Sequence, residues 1–479
     1  SPNDSNAPGI YSKTTSKLCN LDSSILSNWL IDPSRYPLPN IVATDNLEGI
    51  SKSVWDDICE LAKVDTSSSG SSGTVTGITF AGYDDSYTIG APKFYITTAD
   101  GLATFRNMVN GTIEGTVTIP KDESYNGALD YTVTSDDTTT AIYGELMFNI
   151  ELPSDKNWIP IGSSDRPFTG SFNGNNYTIS NLNIDATTDN QGLFGVIQGT
   201  SSSEFCTITS LVVEGNITSS ACNVAGIAGK ATFTKFESCV NKATVKSTNV
   251  VAAGIAGYVS NVNMNCCYNA GSITASMDVA GIAGYETASD TWKEYTYCIN
   301  SGTITGGTNY SSIIGIANSK LGLGPCANYG KIISTTNNET GCIIGNCITS
   351  GSDITQVSGI LSVGPIETQG TYHVIANNVS ITSSYYDSNV LSSTTVSGLD
   401  GYDTSNFIDD AHSMNLDTYC YTPGVYPIPD IPEYKISEEI RQEIVTAATP
   451  QNSGSSGIVP NAYVSTFSEL KEQIESVID

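Results

Sequence analysis

Residues 223–245 read NVAGIAGKATFTKFESCVNKATV, and residues 251–273 read VAAGIAGYVSNVNMNCCYNAGSI. Both segments have a tetrapeptide of a small residue, an apolar residue, any residue and Gly, and both continue to a Cys-x-Asn tripeptide through apolar and polar residues. Self-similarity at a fixed spacing is the signature of repeat architectures. The chain therefore contains a repeat unit.

The tetrapeptide recurs along the chain and defines the period of the repeat. It reads GLFG, GIAG, GIAG and GIAG, followed by the degenerate copies SIIG and CIIG. Its closing glycines are separated by 27 to 34 residues: Gly195, Gly229, Gly257, Gly284, Gly315 and Gly345.

A second motif keeps the same period, beginning at Cys239, Cys267, Cys298 and Cys326. Two motifs in phase at about thirty residues, rich in Gly, Val, Ile and Thr, predict short coils stacked about 4.8 Å apart. We predict an all-β fold, a right-handed parallel β-helix (β-solenoid) with a small helical N-terminal segment, a capping helix and a β-rich insertion.

Stacking gives each motif position a structural role. The four cysteines are expected to form one inward column, either as reduced packing residues, which we favour, or as disulfides between neighbouring coils. The glycines are expected at corners that need a positive φ, and the asparagine of Cys-x-Asn in a tight turn. Eight acidic residues between positions 191 and 350 suggest an apolar, charge-poor interior.

Composition narrows the possible partners and the location. The net charge of -29 and a pI near 4.1 exclude nucleic acid as a partner and favour a secreted protein. No apolar run is long enough for a transmembrane helix, and Ser1-Pro2 does not open a signal peptide. We expect an extracellular, cell-surface location, with any export signal already removed.

These motifs resemble the GLUG-motif repeats of bacterial secreted and surface proteins, from about Phe94 to Pro429. YITTADGLATFRNMVNG (95–111) is similar to the capping helix of such modules, and YYDSN (385–389) and GVYPIPDI (424–431) to their close. The resemblance implies a surface location, as in adhesins, more strongly than any chemistry. Residues 112–142 depart from the pattern and are interpreted as a protruding hairpin or small subdomain, serving as a contact arm or having no role.

The segments outside the repeats suggest four regions. Residues 1–66 are predicted to be helical, over 21–31 and 51–64, and residues 67–93 to be a Ser/Gly linker with a leading strand. The β-helix is expected over 94–434. Residues 435–479 are expected to hold a helix (435–448), an SGSSG linker, and the start of a second module, because 462–478 parallels 94–109. Either the protein is longer, or this tail joins neighbouring copies.

Candidate catalytic and metal-binding residues are few. The repeats hold no arginine, and His373 and His412 have no Asp or Ser partner in phase with them. We predict no catalytic residue, no cofactor and no metal site. The acidic pairs Asp84-Asp85, Asp136-Asp137 and Asp409-Asp410 are weak candidates for Ca²⁺.

The sequence thus predicts a non-catalytic structural or adhesive protein, a rod that forms part of a surface structure or filament. Self-association end to end through the terminal segments is the expected interaction. The alternatives are a monomeric adhesin that binds a glycan or host surface, and a polysaccharide lyase or hydrolase.

Overall fold

A computed structural model describes residues 29–30, 38–39 and 75–450, with short gaps inside the last range. The predicted helix at 51–64, the linker at 67–73 and the second module lie outside these residues. The helix predicted over 21–31 is wrong at its end, because Trp29–Leu30 pairs antiparallel with Leu38–Pro39. This pairing satisfies backbone groups that the apolar spacing had assigned to a helix.

The described chain is mostly β, with many short strands and few helices. The strands before the repeats are β1 (Trp29–Leu30), β2 (Leu38–Pro39), β3 (Ile78–Asp84), β4 (Ala91–Ile96), β5 (Thr116–Ile119), β6 (Tyr131–Thr134), β7 (Tyr143–Leu146), β8 (Ile150–Glu151), β9 (Ser171–Asn173) and β10 (Thr178–Ala186). The helices are α1 (Ala99–Asn110), α2 (Thr404–Asp409) and α3 (Glu438–Ala447).

The repeats contribute most of the remaining strands. These are β11 (Phe194–Gln198), β12 (Cys206–Thr209), β13 (Val212–Ser219), β14 (Val224–Ala225), β15 (Ala228–Glu237), β16 (Val240–Asn241), β17 (Thr244–Ser247), β18 (Val251–Ala253), β19 (Ala256–Asn265), β20 (Tyr268–Asn269), β21 (Ile273–Ala275), β22 (Asp278–Ala280), β23 (Ala283–Glu286), β24 (Lys293–Thr296), β25 (Ile299–Asn300), β26 (Ile304–Gly306), β27 (Ile314–Ala317), β28 (Leu321–Leu323), β29 (Cys326–Asn328) and β30 (Ile332–Ser334).

The last strands close the repeat region and precede α3. They are β31 (Thr340–Gly341), β32 (Ile344–Cys347), β33 (Gln356–Ser358), β34 (Ile360–Ser362), β35 (Ile366–Glu367), β36 (Tyr372–His373), β37 (Ser380–Thr382), β38 (Ser384–Asp387), β39 (Leu399–Tyr402), β40 (Tyr419–Cys420) and β41 (Ile428–Pro429).

Two long, almost entirely parallel sheets organise these strands, each of fifteen strands. The first long sheet runs from β3 through β12, β15 and β19 to β37. The second long sheet runs from β8 and β10 through β13, β16 and β20 to β39. Each repeat gives strands to both sheets and pairs with the repeats on either side of it in the chain.

Register between neighbouring repeats follows the sequence period. Ala228 pairs with Ala256, and Val240 pairs with Tyr268, so equivalent motif positions lie side by side. The fold is therefore all-β with long parallel sheets, in which a repeat satisfies its backbone hydrogen bonds through its two neighbours.

The N-terminal end of the first long sheet is closed by α1 and a hairpin. Thr98 caps α1 by accepting a hydrogen bond from the Gly101 amide at 3.2 Å. The hairpin β5–β6 corresponds to the predicted insertion, and its Ile119 and Val133 are buried in the main core. Phe80 N donates to Pro120 O at 2.8 Å, so the hairpin covers the outer edge of β3. The predicted insertion therefore belongs to the end of the core.

Candidate functional surface

The closing glycines of the first motif occupy equivalent positions of neighbouring strands. The register of β11, β15, β19, β23, β27 and β32 places Gly195, Gly229, Gly257, Gly284, Gly315 and Gly345 in one row. The first four of this row do not have a positive φ, so the expectation of strained glycine corners is wrong there. Asn, Ser and other residues adopt that conformation instead, for example Asn223, Ser238 and Asn261.

The close approach of an asparagine side chain explains why the first motif opens with a glycine. A Cβ atom on Gly226 would lie 1.9 Å from Asn241 Oδ1, and one on Gly254 would lie 2.4 Å from Asn269 Oδ1. Both distances are far below van der Waals contact, so only glycine lets this strand approach the asparagine of the second motif. The two sequence motifs are therefore two sides of one packed contact.

The asparagines of Cys-x-Asn form a buried amide ladder, and the prediction that they lie in tight turns is wrong. Asn241, Asn269, Asn300 and Asn328 are fully buried. The Nδ2 of each of the first three donates to Oδ1 of the next asparagine, at 2.8, 2.7 and 2.9 Å in turn. Each Nδ2 also donates to a backbone carbonyl two residues on, for example Asn269 to Gly271 O at 2.9 Å. The amides are satisfied inside the protein, as buried polar groups must be.

The four cysteines of the second motif lie two positions before these asparagines and form a column of free thiols in the core: Cys239, Cys267, Cys298 and Cys326. Each thiol donates to a carbonyl of the preceding repeat, for example Cys239 to Ile208 O at 3.3 Å. Burial raises the pKa of Cys239, Cys267 and Cys298 well above the usual thiol range. Low thiolate content makes such thiols poor nucleophiles.

The interior is not free of charge, contrary to the expectation of a charge-poor interior. Asp278, Glu286 and Lys293 are 4%, 1% and 1% exposed. Glu286 takes the position that Val259 holds in the preceding repeat. Burial, and then the Glu286 carboxylate, raises the pKa of Tyr295 well above its usual value. The number of acidic residues between positions 191 and 350 does not show which of them face inward. The alternation of side chains along each strand does.

An apolar column runs along the outside of the second long sheet, at the middle position of Cys-x-Asn and its equivalents. We call it the track, and its residues are Val212, Val240, Tyr268, Ile299, Ala327 and Leu361. All six are buried, because the chain after the last repeat crosses back over them. We call this covering segment, residues 416–448, the strap.

Sequence reasoning missed the strap and the track, although it placed a helix over 435–448, where α3 spans Glu438–Ala447. The signal was present in the tripeptide Cys-x-Asn. Its middle residue must face outward if its neighbours face inward, and an apolar residue there in each repeat indicates a covering element.

Polar contacts hold the strap along its length. The Tyr419 hydroxyl contacts two carbonyl oxygens, Cys326 O and Gly359 O, both at 2.9 Å. The Tyr329 hydroxyl donates to Pro427 O at 2.6 Å. The Tyr426 hydroxyl donates to Asp387 Oδ2 at 2.6 Å, which ties the strap to the last repeats.

Two lysines clamp the α3 end of the strap. Lys242 Nζ lies 2.5 Å from Glu443, 3.6 Å from Glu214 and 3.8 Å from Glu439. Burial acts to lower the pKa of Lys242, but Glu443 and the other two carboxylates raise it above its ordinary value. Lys435 of the strap pairs with Glu237 of the repeats. The α3 carboxylates and Lys242 therefore meet as opposite charges across the interface.

A cavity of about 630 Å³ lies where α3 meets the second long sheet. Its wall includes the Tyr268 hydroxyl, which is 2.7 Å from Ser301 Oγ. The other lining residues all belong to α3: Glu439, Gln442, Glu443, Thr446 and Ala447.

Among the described residues, no three His, Cys, Asp or Glu side chains are grouped as metal ligands. Asp84, Asp409 and His373 lie within the described chain, whereas Asp85, Asp136, Asp137, Asp410 and His412 lie outside it. No helix in the described part of the chain is both long and apolar enough to cross a membrane.

Comparison with known proteins gives little more. No protein-family model matches the chain, and no curated protein matches it. A crystal structure titled as that of "a putative immunoglobulin A1 protease from Bacteroides ovatus" matches with a TM-score of 0.44 and 15% identity, over 74% of this chain and 94% of that one. A likeness of this size leaves the activity of the chain to be argued from its own residues.

Proposed function

We propose that the chain is an extracellular, non-catalytic rod of the GLUG-motif type, with a structural or adhesive role at a cell surface. Its two long parallel sheets would be walls of one right-handed parallel β-helix. Right-handed crossover is the strongly preferred connection between parallel strands of a sheet, which supports this handedness.

The observation that carries the proposal is the in-register stacking of equivalent residues. The second long sheet keeps parallel pairing from β8 to β39, and the amide ladder adds side-chain bonds along four successive repeats. Neighbouring amides bond to one another along the stack, so bending it would strain a chain of buried hydrogen bonds. Stiffness is the property that a surface spacer or filament subunit needs.

The acidic surface supports an extracellular location, and the burial of the thiol column is compatible with it. A thiol with a raised pKa is a poor substrate for oxidation and disulfide exchange, so the column can persist outside the cell. The net charge of -29 keeps such a rod soluble and resists aggregation.

Electron microscopy of the purified chain tests the rod. The expected particle is elongated along the stacking direction, with stacked strands spaced by about 4.8 Å. Compact spherical particles would contradict the proposal. Incubation with polysaccharides provides a second test, since the release of reducing or unsaturated sugar ends would show an enzyme instead.

One observation favours the adhesin alternative, a face of outward hydroxyls on the second long sheet beside the track. Lys246 interrupts one of its two rows between Thr218 and Thr274. The hydroxyls of this face make no hydrogen bond within the described part of the chain. They are therefore open to a polar, uncharged ligand such as a neutral glycan. The six side chains of the face are Thr218, Thr244, Ser272, Thr274, Thr303 and Thr305.

A glycan array with two variants tests this alternative. Lysine at both Thr274 and Thr305 should abolish any binding by this face. Lysine at both Ser260 and Asn263, on the first long sheet, is the matched control and should leave binding unchanged. An array on which the parent chain binds nothing would contradict the adhesin alternative while leaving the rod untouched.

A further inference from the structure

The track is an apolar surface that the repeats build and that the strap covers, together with Phe407 and Met414 just before it. Side chains along the strap pack on it together with the track residues: Leu416, Tyr419, Ile431, Ile436, Ile440 and Ile444. Ile436, Ile440 and Ile444 are four residues apart, so they form one stripe facing the second long sheet. The strap therefore buries on the track an apolar face that would otherwise contact water.

The interface between strap and repeats resembles a contact between two molecules. The described chain from the end of β39 at Tyr402 to the start of the strap at 416 contains α2, and the strap then returns across the outside of the repeats. Its interface has an apolar centre and charged pairs at the rim, Lys242 with Glu443 and Lys435 with Glu237. Protein–protein interfaces have the same anatomy.

From this geometry we propose that the track is an interaction surface for a second copy of this chain, which enters it by exchanging straps. Every copy carries a strap whose fit to the track is already seen within one chain. An exchanged strap would make the same contacts with the track. Only its contacts with α2, where Gly424 N donates to Ile408 O and Tyr426 packs on Phe407, and the chain that leads into the strap would differ, so the cost of domain swapping stays low.

Concentration decides between the two arrangements. A strap attached to its own repeats is present at a high effective concentration, so dilute chains keep it in place. A high concentration of chains raises the concentration of straps from other copies, and exchange then links neighbouring molecules. This inference does not depend on the rod's role, because it concerns the strap interface alone.

Complementary charge variants test the exchange in the full chain. The first variant carries Lys242→Glu, which places like charges against Glu439 and Glu443. The second carries Glu439→Lys with Glu443→Lys, which places like charges against Lys242. Each alone should hold its strap poorly, and limited proteolysis should cut residues 416–448 faster than in the parent chain.

Mixing the two variants is the decisive step. In a swapped pair, the strap of the first variant, with Glu439 and Glu443 unchanged, packs against the unchanged Lys242 of the second variant. The strap of the second variant, with its two lysine substitutions, packs against the Lys242→Glu substitution of the first. Both pairings are attractive, so the equimolar mixture should elute at twice the monomer mass, with the straps again resistant to proteolysis.

A control chain that carries all three substitutions restores attraction within one molecule. It should remain a monomer with a protected strap. A mixture that stays monomeric beside a protected control would overturn the proposal, since the straps would then fit without exchanging. A control as sensitive as the separate variants would overturn it as well, because these charges would not hold the strap. Circular dichroism of each variant checks that the repeats remain folded.

Discussion

At the scale of single residues, the repeats are stabilised by polar groups that would be costly if unpaired. Asn269 sits inside the amide ladder, where its Oδ1 accepts from Asn241 and its Nδ2 donates to Asn300. The hydrogen-bonded amides fix the register, since a slip by one residue would turn each asparagine outward.

Replacing Asn269 with alanine should therefore cost more than an ordinary surface substitution. Both neighbouring amides would lose a partner in a dry interior, at about 1–3 kcal/mol for each unsatisfied group. Urea unfolding should show a free energy of unfolding lower by several kcal/mol. Asn216→Ala, an exposed asparagine in the same sheet, is the matched control and should change it little. Equal effects of the two substitutions would show that the ladder adds no stability.

Asp278 is a buried carboxyl that should make stability depend on pH. It is 4% exposed, and its Oδ1 has no hydrogen-bond partner in the described chain. Burial raises its pKa from 3.8 to about 6. Because the folded pKa is above the unfolded one, the folded state binds more protons between these values. The contribution of Asp278 to stability is therefore fully present below a pH of about 3.8 and is lost as the pH rises through about 6.

The substitution Asp278→Asn should remove this dependence. At pH 7.5 the variant should be more stable than the parent by on the order of 2–3 kcal/mol, and near pH 4 the two should be similar. Urea midpoints at both pH values measure the difference. Asp185→Asn, at an exposed position, is the control. A gain that is the same at both pH values would contradict the assigned titration.

At this scale, the sequence predicts contacts between equivalent positions of neighbouring repeats, but not contacts between different motifs. Periodicity placed the motif glycines and cysteines at equivalent positions, because spacing alone sets register. It did not foresee that Gly226 makes room for Asn241, since that contact joins the two motifs across the fold. The conformational preferences of Gly and Asn predicted turns, whereas in the structure close packing and hydrogen bonding explain these residues.

At the scale of elements, the strap is attached to the repeats mainly through side chains. Its backbone bonds to the repeats are few, and side chains make most of the attachment. The Tyr419 hydroxyl lies 2.9 Å from Cys326 O, in β29, and 2.9 Å from Gly359 O, between β33 and β34, and so joins the strap to two repeats at once.

The substitution Tyr419→Phe should loosen the strap without unfolding the repeats. It removes the single hydroxyl proton that Cys326 O and Gly359 O share, at about 1–3 kcal/mol. Limited proteolysis should cut the strap several-fold faster, while circular dichroism of the sheets stays unchanged. Tyr434→Phe serves as control, because that side chain is 78% exposed. Cleavage at the parent rate would show that the apolar contacts alone hold the strap.

The sequence predicted the helix in the strap, but not the surface on which this helix packs. The period of apolar residues around Ile440 and Ile444 predicts α3, as it would for any amphipathic helix. Where such a helix docks depends on a surface assembled from six repeats far earlier in the chain, and no local pattern encodes that distance.

At the scale of the whole molecule, a repeated stack and a strap of fixed length constrain each other. Neighbouring repeats are interchangeable, since Ala228 pairs with Ala256 and Ala256 with Ala283 in the same way. The strap is not interchangeable, because Lys242 binds it near one end and Asp387 holds Tyr426 nearer the last repeats.

Removal of residues 244–271 should therefore separate the two parts. Joining Ala243 to Ser272 preserves register, so the sheets should still form, as expected when each repeat contacts only its neighbours. The two anchors move closer by one step of about 4.8 Å, so a strap of unchanged length can no longer match both of them. We expect native-like circular dichroism with rapid proteolysis of 416–448. A strap as protected as in the parent would mean that the anchors tolerate the shift.

Parallel, in-register strands with ladders of identical amides are also the geometry of amyloid fibrils, where each open edge recruits the next chain. Here the hairpin β5–β6 lies along the edge of β3 and occupies hydrogen-bonding groups that an incoming strand would need. The same parallel stacking therefore stabilises one chain here, while the hairpin keeps the edge of β3 from pairing with a strand of another chain.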